Sequence, residues 1–128
     1  MKIRLAWFGL LAMLTVAPAA VLAASEVSGI MRNWRTQTRT LDAVSSGRAA
    51  FDQATVRAAL TAFSTDAGRI GAEIKGSSAG AKDIRRRFLA FRARADVALS
   101  NVQRPAVLKA DVSQLKASCQ SCHDQYKN

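Results

Sequence analysis

The sequence predicts an all-α protein, an antiparallel up-down-up-down bundle of four helices. Three observations carry that expectation. Apolar residues recur at alternating steps of three and four in four separate segments. Residues that stop or start helices fall between those segments. No stretch alternates apolar and polar residues for long enough to compete as a strand.

The first segment reads Val27, Met31, Trp34, Thr38 and Leu41, with Val44 closing the stripe. It is the most polar of the four, and Gly47 follows where a left-handed residue is wanted past a helix end. The second, from Val56 through Leu60, Phe63, Ala67 and Ile70 to Ile74, is the clearest, and Asp52 is placed to cap it. Gly76-Ser77-Ser78-Ala79-Gly80 then breaks it from the third, which reads Ile84, Phe88, Phe91, Ala95, Ala98 and Val102. The fourth reads Leu108, Val112, Leu115, Cys119, Cys122 and Tyr126, with Pro105 suited to its first turn. Helices joined by such short connections pack as antiparallel neighbours.

The chain has 128 residues, a formal charge of +10 and 49% apolar residues. Much of that apolar weight lies at the start. Met1-Lys2-Ile3-Arg4 is positive, Leu5 through Ala17 carries no charge, and Pro18 leads into Ala19-Ala20-Val21-Leu22-Ala23. This is the layout of a secretory signal, with cleavage expected after Ala23 and Ala24 as the second choice. An uncleaved anchor is the rival, but Leu5–Ala24 is barely long enough to span a bilayer and Pro18 interrupts it. The reading is therefore a cleaved signal over 1–23, one domain over 24–128, a periplasmic destination and no stable membrane insertion afterwards. Removing residues 1–23 takes Lys2 and Arg4 away and leaves 105 residues with a charge of +8. A chain of that size excludes a multidomain enzyme.

The mature chain keeps one His (His123), one Met (Met31), one Trp (Trp34) and two Cys (Cys119, Cys122), so the search for chemistry is short. Cys119-Gln120-Ser121-Cys122-His123 is C-x-x-C-H, a pattern used for c-type haem attachment. On a helix the three side chains stand at i, i+3 and i+4 and emerge on one face. Two thiols so placed can add to the two vinyl groups of one haem, and the adjacent imidazole, His123, is the proximal iron ligand. A thiol-redox pair would want the cysteines at the start of a helix in a βαβ setting. A zinc site would want a fourth ligand, and there is no second cluster to supply it. A disulfide between residues three apart closes no useful loop.

In an up-down-up-down bundle the end of the fourth helix lies beside the start of the first. His123 and Met31 therefore fall in the same end layer on adjacent helices. A thioether there would complete six-coordinate, low-spin iron; the competing role for Met31 is plain core packing. Trp34, one turn on, flanks the same region.

A bundle with C-x-x-C-H near its C-terminus resembles the class II c-type cytochromes, the cytochrome c prime superfamily, over essentially the whole mature chain. Gly47-Arg48-Ala49-Ala50-Phe51-Asp52 is similar to that family's turn into its second helix, and Cys122-His123-Asp124-Gln125-Tyr126 to its ending. Met31 lies sixteen residues before Gly47, at the distal haem position of the family. The resemblance is closest to the low-spin branch, whose iron is held by Met and His. It implies one covalent haem c near one end of the bundle and a non-enzymatic role in single-electron transport. The alternative it implies is a five-coordinate member that binds nitric oxide or carbon monoxide at an open distal side. Three departures stand out. Val27 replaces the Arg that many members place near the haem propionates, and no Trp-x-Glu pattern occurs over Gly76–Phe88. Lys127 replaces the usual Arg four residues after the haem His, keeping the charge but not the planar fork. A cation there would disfavour imidazolate character at His123.

Basic residues concentrate at Arg85, Arg86, Arg87, Arg92 and Arg94, which suggests a docking face for an acidic redox partner, against the alternative of a solvated helix face. Nucleic-acid binding is not expected of an exported chain without interleaved aromatics. With a single His and no motif-placed pair of acids, hydrolytic catalysis has little to work with. Family members are often homodimers through the first two helices; the polar face of residues 32–40 offers little for that, and a homodimer is left open.

Overall fold

A computed structural model describes residues 24–126. The expected signal segment, 1–23, and Lys127 lie outside the described residues. Four helices follow one another: α1 (Ala24–Ser45), α2 (Gln53–Glu73), α3 (Ala79–Ser100) and α4 (Pro105–Tyr126). Among the described residues there is no strand. Each helix packs on its two neighbours around the ring, α1 on α2 and α4, α3 on α2 and α4. The protein is an all-α four-helix bundle.

The boundaries follow from capping chemistry. Gly47 takes φ 76°, in the left-handed region, and its N–H donates to the Val44 carbonyl at 3.1 Å. Asp52 caps α2 by accepting from the Thr55 backbone N–H at 3.2 Å and from the Thr55 hydroxyl. Pro105 opens α4, where its missing N–H costs nothing. α3 begins within the glycine-containing break, because Ser78 accepts from the Ala81 N–H at 3.1 Å and caps it there. Sequence reading had marked that stretch only as an interruption.

One continuous core runs through the bundle. Trp34 and Leu41 come from α1, Val56, Ala59, Leu60, Phe63 and Ala67 from α2, Phe91, Ala95 and Ala98 from α3, and Leu108, Val112 and Leu115 from α4. Val102 joins it from the α3–α4 connection. The alanines keep the helices close; at Gly71 of α2 an added Cβ would lie 3.0 Å from a Leu89 methyl of α3. Polar pairs then set the register. Lys116 of α4 bonds Asp42 of α1 at 3.0 Å, Arg94 of α3 bonds Gln114 of α4 at 3.0 Å, and Arg69 of α2 bonds Glu26 of α1 at 2.9 Å. Such exposed pairs contribute little energy each; their value lies in choosing one sliding position among several.

The apolar stripes are not buried evenly. In the half of the bundle holding the connections 46–52 and 101–104, the stripe residues of α2, α3 and α4 are buried, as is Leu41 of α1, with Val44 half-buried against them. Toward the opposite end Val27, Met31, Ile84, Phe88, Cys119 and Cys122 are only half-buried, and Tyr126 is exposed. The cause is geometric: the core stops short there, and most of these residues line an open cleft.

Two substitutions test this account in the full chain. Phe63→Ala, at the centre of the core, should cost about 3–5 kcal/mol in urea unfolding. Gly47→Ala meets no clash but must hold an unfavourable φ. It should cost about 1 kcal/mol, lowering Tm by about 4–8 °C.

Candidate functional site

The cleft at the end of the bundle has a volume of about 610 Å³ and runs between α1 and α4 over a base supplied by α3. That is the size range of a site for a small molecule or cofactor. Its α4 wall carries Cys119, Cys122 and His123, and its α1 wall carries Met31 and Trp34. The five residues that the sequence singled out here are therefore brought to one cavity, although Met31 and His123 are separated by most of the chain.

Trp34 marks the boundary between core and cleft. It is 6% exposed and stacks on Phe91 with ring centres 4.8 Å apart and planes inclined by 19°. Phe63 meets its edge at 5.3 Å. A buried indole N–H needs an acceptor. Asp66 of α2, which sequence reading passed over, supplies one at 3.0 Å. Phe88 stands 6.3 Å from Trp34 and continues the aromatic base outward. Met31 sits one turn before Trp34, half-buried against the edge of the core.

On α4 the helical spacing does what the motif requires. Cys119 and Cys122 are free thiols, both half-buried, with His123 beside them and more exposed. Burial raises the pKa of Cys119 first, with Cys122 adding to the rise. Burial also raises that of Cys122, and the Arg87 guanidinium partly opposes it. Both thiols are thus held protonated near neutral pH. A thiol–disulfide exchange centre needs the opposite, a lowered pKa, commonly at a helix N-terminus; this pair lies in the last turns of α4.

A side-chain network holds those turns against α3. Tyr126 donates its hydroxyl to Asp83, Arg87 donates Nε to the same carboxylate at 2.8 Å, and Arg87 Nη1 donates to Ser121 Oγ at 3.0 Å. The Arg87 guanidinium lies 5.7 Å from the centre of the Tyr126 ring. Residues 121 and 126 bracket Cys122 and His123, so the network fixes the C-x-x-C-H segment in place. The sequence offered Arg87 only as one of a basic run. That run is extensively engaged within the chain: Arg85 donates to the Ile74 carbonyl at 3.1 Å, Arg86 pairs with Asp83, Arg92 with Asp96 and Arg94 with Gln114.

The cleft has a second cationic feature that sequence reading missed. Arg32, Arg35 and Arg39 of α1 line it. Their spacing is one helical face, adjoining the Met31 stripe, and that spacing was the available signal.

Asp83 gives the network a pH signature. Its carboxyl is held well below the ordinary value of 3.8, foremost by the Tyr126 hydroxyl and then by Arg87 and Arg86. A carboxyl lowered in the folded state stabilises fully above its unfolded pKa and loses that effect as pH falls through the folded value. Asp83→Asn should therefore lower Tm at neutral pH, and its deficit against the parent should shrink as pH falls below about 4. A deficit that is constant with pH would show that the carboxylate charge plays no part.

No helix among the described residues is long and apolar enough to cross a membrane. Comparison with protein-family profiles and with curated proteins gives no match for this chain.

Proposed function

We propose that this chain is an exported c-type cytochrome of the cytochrome c prime kind, which carries single electrons in the periplasm through one covalently held haem c. The observation that carries the reading is the convergence of Cys119, Cys122, His123 and Met31 on one cleft with an aromatic base. That donor set suits haem iron: two thiols that could attach it, and an imidazole and a thioether in the same cavity that could ligate it.

The thiols of Cys119 and Cys122 would hold the group through thioether bonds, each S–H adding across one vinyl with no net oxidation. His123 would serve as the proximal iron ligand and Met31 as the distal one. The haem supplies a one-electron couple, and the protein sets its potential through the axial ligands and the polarity around them. Trp34, Phe88 and Phe91 exclude water from the inner side of the cleft. The placement of the pair in the last turns of a helix, rather than at its N-terminus, favours haem attachment over thiol-redox chemistry. An acidic protein partner follows from the basic charge of the chain, and Arg85, Arg86, Arg87, Arg92 and Arg94 remain the docking face suggested by its distribution.

The test is the visible spectrum of the chain made together with haem-attachment machinery, reduced, before and after carbon monoxide. A narrow, resolved α-band that the gas does not move is expected, and Met31→Ala should convert it to a spectrum that shifts with the gas. A parent protein that already binds carbon monoxide would make Met31 a packing residue and gas binding the function. A chain that acquires no haem would remove both readings.

A further inference from the structure

We infer that Arg35 and Arg39 of α1 form a carboxylate-binding site that holds the propionate edge of the tetrapyrrole. The inference rests on reading the cleft as the haem site and goes beyond it, since nothing in the C-x-x-C-H motif says how the opposite edge of the group is held.

The register of the bundle places these residues. Lys116 and Asp42 meet at 3.0 Å between α4 and α1, which run antiparallel. Seven residues on from Lys116 stands His123, and seven back from Asp42 stands Arg35. Three residues on from Lys116 stands Cys119, and three back from Asp42 stands Arg39. The two arginines therefore lie level with the haem-type motif, on the facing wall of the same cleft. Thioether bonds would tie the vinyl edge of a haem to α4. Its two propionates, on the edge away from the vinyls, would need donors elsewhere in the cleft, and Arg35 and Arg39 line it.

The state of the cations supports the assignment. Among the described residues, neither Arg35 nor Arg39 makes an ion pair or a side-chain hydrogen bond. Arg87, the other cation in contact with both cleft and motif, is already committed to Asp83 and Ser121. A carboxylate entering an apolar cleft loses hydration and must recover it from a donor. The guanidinium fork matches a carboxylate with two parallel hydrogen bonds, and Arg35 and Arg39, one turn apart, present two such forks for two carboxylates.

The experiment uses holoprotein whose haem is isotopically labelled at the propionate carboxyl carbons, read by isotope-edited infrared spectroscopy. The labelled carboxylate stretch should shift in Arg35→Gln/Arg39→Gln and stay unmoved in Arg57→Gln, a surface change on α2 away from the cleft. If the double variant fails to accumulate holoprotein, Arg35→Lys and Arg39→Lys keep the charge without the fork and should each move the band partway. A band that is identical in the parent and in every α1 variant overturns the inference and leaves these arginines to solvent or to an acidic partner. Normal haem loading with an unmoved band sinks this inference alone, whereas a parent chain that takes up no haem sinks the haem reading and this site together.

Discussion

Trp34 is wedged between Phe63 and Phe91 with its N–H bonded to Asp66, and the organisation of the molecule turns on that cluster. On one side of it small and branched residues fill the bundle axis and the helices close tightly. On the other side the stripes continue, but Met31, Phe88, Cys119 and Cys122 line an open cleft between α1 and α4. Interiors pack to near-crystalline density wherever side chains can reach one another. A bundle that fails to close at one end has therefore left room for something else to complete it. The four helices form only a modest core of their own, so a large apolar group seated there would extend the core as well as supply chemistry.

The same cluster orients the proposed ligands. Met31 is one turn from Trp34 on a helix whose rotation is set by the indole's packing and its bond to α2. On α4, Leu115 is buried in the core, and Cys119 and Cys122 follow it on the same stripe as the axis opens. The Asp83–Arg87–Tyr126 contacts then pin the last turn, which a terminal helix end would otherwise lose to fraying. Cys119, Cys122 and His123 stand on one side of α4, and that side is held against the cleft by packing on one flank and a charged clamp on the other.

Charge is distributed by the same logic. The basic run of α3 supplied the obvious cluster in the sequence, yet in the fold those arginines are drawn toward Asp83, Asp96, Gln114 and the end of α2. Arg32, Arg35 and Arg39, scattered in sequence among polar residues, line the cleft instead. Counting charges along a chain measures the supply of cations; pairing in space shows which of them have partners within the chain.

The helical class, the order of the elements and most of their ends were legible in the residues themselves, because a helix writes its buried face at a fixed period and its ends in short-range capping bonds. Asp52, Gly47 and Pro105 could be read so for that reason. The C-x-x-C-H motif was equally legible, since its geometry is contained within a single turn of helix. Tertiary structure alone decided that Asp66 receives the Trp34 N–H, that Arg87 is a clamp, and that Arg35 and Arg39 stand level with His123 and Cys119. Each of these depends on the sliding register and rotation of helices distant in sequence, set by many weak contacts acting together, and no local pattern records that balance.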